Sequence, residues 1–450
     1  MTQTEGGNFP VTHRSVLRIA LPMMLAYMST PLVGLVSTGV IGQLGSAALI
    51  GGVAIGAVIF DVIFTSFNFL RGATTGFTAQ AMGAGNRQEE QDMLLAGLGI
   101  ALVLGLLILA LQWPIADLGV SLLGADANTA GPALDYFFAR VWSAPFVLIN
   151  FVVFGWVLGR GDAMTALLLQ AVLNAANILL SILLVLHLDL GVAGAGWANT
   201  MAEILTAALS LLVVGLRMPK SGWRFAELKN RKRLRRLGGV NTDMMIRSLA
   251  LLIGLSFFTR QSAILGPDVL AANTILLRFY FVAIALLDGI AMAAEQLAGR
   301  SVGAGYRKTF DRVVALTTGW GIVFAVVTSL CVYLTGPFVV AWVTPIEEIR
   351  TLASVYLPYV VLLPLAGVVA FQMDGIFIGA TWSREMRNMM LLSLLIYLLS
   401  WSVLAPMFAN HGLWIALLIF HGVRSIAFRM RVSTLAARTF PNSTARTDTP

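Results

Sequence analysis

The second half of this chain restates the first about 220 residues later, on a background apolar enough for lipid. Gln80-Ala-Met-Gly83-Ala84-Gly85 returns as Arg300-Ser-Val-Gly303-Ala304-Gly305, an offset of 220. Leu44-Gly45 returns as Leu265-Gly266 at 221, Gly155 and Gly159 as Gly375 and Gly379 at 220, and Trp197 as Trp414 at 217. Separate matches that keep nearly one offset mark an internal duplication. In a membrane, two like halves suggest a machine whose halves rock about a central site.

Only 12% of the residues are charged and 58% are hydrophobic, far from the soluble average of about 25% charged. Apolar runs of about 20 residues or more, each long enough to cross a bilayer as a helix, recur along the chain. Twelve are counted, centred near Met28, Phe60, Leu104, Leu148, Leu173, Ala207, Leu252, Leu286, Val323, Leu363, Leu395 and Leu418. The expected fold class is therefore an all-α integral membrane protein with twelve transmembrane helices in two pseudo-symmetric six-helix lobes. The expected divisions are an N-lobe at 1–216, a basic cytoplasmic linker at 217–238, a C-lobe at 239–436 and a disordered cytoplasmic tail at 437–450. Because six is even, both lobes enter the membrane in the same sense, related by an axis along its normal.

The net charge of +8 does not point to nucleic acid, because its placement follows topology. With a cytoplasmic N-terminus, all of the 30 Lys and Arg except Arg140, Arg260, Arg278 and Arg350 fall on the inner side. That positive-inside bias puts both termini in the cytoplasm of a multi-pass protein, expected in the cytoplasmic (inner) membrane of a prokaryote. A polar start without a short apolar core argues against a removable signal peptide. The prolines Pro22, Pro31, Pro145, Pro358 and Pro364 lie within apolar runs and read either as hinges or as static kinks.

Several chemistries are excluded at this stage. None of the lysines, Lys220, Lys229, Lys232 and Lys308, follows a glycine, so there is no GxxxxGK[ST] phosphate loop. One cysteine, Cys331, excludes an intrachain disulfide and a Cys-based metal site, and the 4 histidines show no paired spacing. No cofactor or metal is expected, and no ATPase subunit is required. Energy for uphill transport then comes from an ion gradient, with H+ favoured over Na+.

Ion coupling requires groups that bind and release a cation inside the membrane, where each ionisable residue costs about 2.5–3.5 kcal/mol and calls for a reason. Candidates are Asp61, Glu203, Asp288, Glu295 and Asp374. Asp288 and Glu295 are seven apart and share one helix face. The alternative for each acid is a structural pairing, with Arg71, Arg247 or Arg278 as partners. Polar residues that read either as cavity lining or as interhelical glue are Thr38, Asn68, Asn174, Asn177, Ser181, Asn199, Asn273 and Gln372. Met28 and Met292, with Met23, Met24 and Met373, read as soft drug-binding surface or as ordinary packing.

Four segments carry a family likeness: Leu32–Gly45, Phe69–Gly83, Leu287–Glu295, and Met373–Thr381 with Glu385-Met-Arg-Asn388. Together they resemble the MATE (multidrug and toxic compound extrusion) family, and within it the DinF-like branch. The resemblance runs through nearly the whole chain. It implies a twelve-helix antiporter exporting amphipathic, often cationic or aromatic compounds in exchange for protons or sodium ions. Where many relatives carry aspartates, this chain has Ser37 and Ser181, which do not titrate in this range and are instead expected to line the substrate cavity. Coupling is accordingly expected to have moved to Asp61 and the C-lobe acids.

The function expected is a secondary active efflux transporter, not an enzyme, acting by cation antiport and alternating access. Its partners are a small amphipathic organic substrate and membrane lipids, and it is expected to be a monomer. Two alternatives stay open: a lipid or amphiphile flippase, and a polytopic membrane transferase. Against the transferase stand the missing DDxxD cluster for a metal-bound diphosphate and the internal duplication itself.

Overall fold

The computed structural model describes residues 9–218 and 231–441. Among these residues the secondary structure is helical, with no strand. The α-helices are α1 (His13–Gly42), α2 (Ala47–Phe67), α3 (Phe69–Gly83), α4 (Arg87–Ala110), α5 (Gln112–Leu122), α6 (Ala130–Arg140), α7 (Ala144–Gly159) and α8 (Ala163–Ser181). They continue as α9 (Gly191–Arg217), α10 (Arg231–Ile264), α11 (Pro267–Ala304), α12 (Arg307–Val343), α13 (Glu347–Gly379) and α14 (Ser383–Thr439).

Ten stretches among the described residues are long and apolar enough to cross a bilayer. In this set α2 runs into α3, α6 into α7 through a 3-10 turn at Val141–Ser143, and α8 into a π-turn at Ile182–His187. The last stretch, Ser383–Thr439, is two helices joined across a non-helical residue, Ala409. With the 30-residue α1 added, twelve crossings result, and each expected centre lies within its own helix. Large apolar side chains face outward along them, among them Trp342, Phe338 and Leu216, each at least 76% exposed. In water such a surface would aggregate; in acyl chains it is the solvated face.

Helix ends follow local chemistry. Asn86 caps α4 by accepting the Glu89 amide at 3.0 Å, and Glu89 and Glu90 complement the positive end of the helix dipole. Pro145 lies in the first turn of α7, where its missing N–H costs nothing, whereas its counterpart Pro364 lies inside the unbroken α13.

Two compact units emerge. The first comprises Met1–Met24, Ala79–Gly85 and Gly239–Pro450, and the second Leu25–Thr78 and Asn86–Gly238. The core of the first includes Phe258, Tyr280, Leu363, Tyr397 and Trp414, none more than 2% exposed. The second centres on Phe60, Phe137, Leu148 and Trp156.

The repeat reappears as equivalent helix contacts inside the units. In the second, a β-carbon on Gly155 would overlap the Arg71 carbonyl and one on Gly159 would press on the Thr75 carbonyl. In the first, Gly375 meets the Ala291 carbonyl and Gly379 that of Glu295, every position displaced by 220. Small residues therefore let α7 ride on α3 and α13 on α11 in the same register. Of the expected linker, residues 219–230 lie outside the described residues. Of the expected tail, Ala437–Thr439 continue α14 and residues from 442 onward lie outside the described set.

Candidate functional site

In the first unit, the close approach of α13 to α11 at Gly375 carries Asp374 into the helix core, where it is 6% exposed. Two guanidinium groups meet its Oδ2 atom, Arg247 from α10 and Arg424 from α14. Arg424 has no exposed surface, and its Cζ lies 5.3 Å from the centre of the Phe371 ring and 5.9 Å from that of Phe428. Asp288, half-buried on α11, is within electrostatic range of Arg424 and of Tyr280. Tyr280 Oη and His421 Nε2 are hydrogen-bonded at 2.7 Å. Two acids and two arginines thus share one buried neighbourhood, as buried charges must be paired.

Other candidates of this unit lie along the same helices. Glu295 is fully buried on α11, two turns beyond Asp288, and Met292 is buried between them. Gln372 is buried on α13, donates to the Leu287 carbonyl at 3.3 Å and packs on Gly321 of α12. Asn273 binds Ser262 and Asn410 at 2.8 Å and accepts from Trp414 Nε1 at 3.0 Å, the geometry of interhelical glue.

The second unit holds a different constellation. Glu203, half-buried on α9, accepts a hydrogen bond at 2.7 Å from Asn150 Nδ2 of α7. The other face of that amide, Asn150 Oδ1, accepts from Ser210 at 3.2 Å. Arg140, at the end of α6, is within electrostatic range of both Glu203 and Asp61. Its guanidinium donates to Tyr136 Oη at 2.7 Å and lies over the Phe60 ring at 4.9 Å. One cation therefore faces two acids on separate helices, α2 and α9. Asp61 is exposed on the surface of this unit.

Two polar candidates on α8 are tied to neighbouring helices. Asn174 donates to Ser29 of α1 at 2.6 Å and accepts from Gln170 at 3.0 Å. Asn177 donates to Asn199 of α9 at 2.8 Å. Ser181 is 1% exposed, and its hydroxyl has no hydrogen-bond partner among the described residues. Asn68 accepts from Arg71 Nε at 3.1 Å. Met28 is exposed and Ser37 half-buried on α1; the side chain of Thr38 lies outside the described set.

Arg247 is among the partners expected from the sequence for buried acids; Arg424, His421, Tyr280 and Asn150 are not. His421 and Arg424 are three apart within the last apolar run, so a shared helix face was there to be read. Proximity to Arg429 and Arg431 disguised Arg424 as part of a basic inner edge.

Comparison with known proteins bears on both repeats. The MatE family pattern matches residues 22–183 and 244–401. The chain belongs to this family. DNA damage-inducible protein F of Escherichia coli (strain K12) is 37% identical over 417 residues, 92% of this chain and 90% of that protein. Multidrug export protein MepA of Staphylococcus aureus (strain MSSA476) is 21% identical, covering 94% of each. A solved structure described as the outward-facing conformation of a multidrug resistance MATE family transporter has a TM-score of 0.84 at 19% identity. It covers 94% of this chain and 96% of that one, a likeness of fold. MatE family members are transporters rather than enzymes, and this chain is a multi-pass membrane protein of that kind.

Proposed function

We propose that this protein is a secondary active exporter of small amphipathic organic compounds, driven by cation antiport through alternating access. The observation that carries the reading is the MatE match to both repeats, 22–183 and 244–401, so that neither lobe lacks its family counterpart. The export activity named for MepA supports it, as does the absence of a phosphate loop in the sequence. The protein works as a monomer in the cytoplasmic membrane of a prokaryote with both ends inside, without a cofactor or an ATPase subunit. The distribution of its arginines supports that orientation.

The coupling ion is the proton, handled in the second unit by Asp61 and Glu203. Asn150 presents its amide N–H to Glu203, a donor that a carboxylate or a protonated carboxyl can each accept from. A hard metal cation instead requires several oxygen ligands. Asp288, Glu295 and Asp374 are the alternates, although Asp374 would have to release two guanidinium groups before taking up a cation.

The test is uptake of a fluorescent organic cation into inside-out vesicles under an imposed proton gradient and then a sodium gradient. Uptake collapsing with the proton gradient alone, and lost in Asp61→Asn, is the expected result. Dependence on sodium would overturn the ion assignment, and indifference to both gradients would overturn antiport.

A further inference from the structure

The arginine pair of the first unit has donors that Asp374 leaves unmet. Both guanidinium groups meet the same oxygen, Oδ2, and Asp374 Oδ1 is buried with no hydrogen-bond partner among the described residues. Arg247 Nε, Arg424 Nε and Arg424 Nη1 are buried and have no hydrogen-bond partner among the described residues. Asp288 balances the charge of the group without satisfying those N–H groups. Unmet donors on buried cations are costly, and an arriving acceptor would match them.

We propose that Arg247 and Arg424 recognise the carboxylate head of an amphipathic organic anion, with Asp374 as an internal competitor for the same donors. The proposal rests on the exporter reading and names the class of compound carried. A guanidinium offers a planar fork of N–H donors that fits a carboxylate at two points. The neighbourhood already holds the carboxylates of Asp374 and Asp288, so a further planar monoanion suits its shape better than a tetrahedral phosphate. Phe371, 6% exposed and beside Arg424, borders the neighbourhood with an aromatic ring, whereas Phe428 is fully buried. Arg247, whose side chain is 18% exposed against 0% for Arg424, marks the side from which the head enters.

Binding to the purified full-length protein, with no gradient present, tests this directly. The probes are pyrenebutyrate and its analogues bearing an alcohol or an ammonium group in place of the carboxylate, followed by pyrene fluorescence. The carboxylate is expected to bind at least about tenfold more tightly than either analogue. Arg424→Gln removes that preference, and Arg424→Lys, which keeps the charge without the fork, removes most of it. Asp374→Asn takes away the competitor and tightens carboxylate binding by about tenfold while leaving the alcohol unchanged.

Opposite signs for the two substitutions are the signature that a purely structural pair would not produce. If Arg424→Gln does not fold, the charge-balanced double variant Asp374→Asn with Arg424→Gln replaces it, and it too is expected to lose the preference. Equal affinity for the three probes in the wild type, or weaker carboxylate binding in Asp374→Asn, overturns the proposal. Vesicle uptake of pyrenebutyrate under an imposed proton gradient reports separately on export. Discrimination among the probes without gradient-driven uptake would sink the exporter reading and leave this site standing, and the reverse would sink the site alone.

Discussion

Gly303 lies so close to the backbone carbonyl of Gln80 that a β-carbon at 303 would overlap it. The contact is reciprocal: Gly83, the counterpart of Gly303 in the repeat, is packed in the same way on the carbonyl of Arg300. Gln80 is also tied down by its side chain, which donates to the Gly379 carbonyl at 2.8 Å and to Thr381 Oγ1 at 3.2 Å. The main chain at 80 has little freedom to yield.

Gly303→Val should accordingly destabilise the protein by about 1–3 kcal/mol, the usual cost of overpacking a close contact. Gly303→Ala should cost less. Thermal unfolding in detergent measures both, and an unchanged midpoint in the valine variant would refute the tight packing.

This junction also shows what was legible in the sequence and why. Repeats, apolar runs and close-packing glycines are properties of residue type and spacing, so the duplication at Gln80 to Gly85 and the twelve crossings could be read directly. Pairing between distant helices could not. Asp374 stood out as an acid in an apolar run, but nothing local distinguishes Arg247, 127 residues away, from Arg424, 50 residues away, as its partner. Both are bound, and only packing reveals it. The same limit applies to Asn150: alone in an apolar run it reads as glue, and its meaning comes from Glu203 on α9.

Asp162 makes stability depend on pH at the turn between α7 and α8. Burial alone would raise its carboxyl above the usual range. Hydrogen bonds from the Thr165 hydroxyl at 2.6 Å, the Thr165 amide at 3.1 Å and Arg217 at 2.5 Å outweigh that and hold it below. A lowered folded-state value means that the stabilisation is fully present above the unfolded carboxylate range and is lost as pH falls through the folded value. Asp162→Ala should cost about 1 kcal/mol at neutral pH, as a lost helix cap does, and the difference from wild type should shrink in acid. Unfolding midpoints of both proteins from neutral pH down to about pH 3 would show this convergence; parallel curves would contradict it.

Ala409 breaks α14 with φ 46° and ψ −121°, a conformation that L-residues adopt at a cost and glycine adopts freely. The chain must turn sharply here, because Gly412 comes back against the Leu404 carbonyl. Ala409→Gly should therefore stabilise the protein by about 1 kcal/mol. A lower unfolding midpoint in that variant would mean that alanine is not strained at this turn.

Glu203 and Asn150 offer the sharpest division between a structural and a coupling role for a carboxyl inside the second unit. A glutamine at 203 still presents an oxygen to Asn150 Nδ2, so Glu203→Gln retains the 2.7 Å hydrogen bond and should fold with near-normal stability. It cannot exchange a proton. If Glu203 and Asp61 hand protons across the field of Arg140, Glu203→Gln should lower proton-driven export by at least about tenfold without altering equilibrium binding of the compound. Asn150→Ala provides the contrast. It removes the donor to Glu203 and the acceptor for Ser210 together, and should cost stability as well as export. Export and unfolding measured side by side on the two variants give the answer: undiminished export in Glu203→Gln would assign Glu203 to the scaffold and leave Asp61 as the acid that couples.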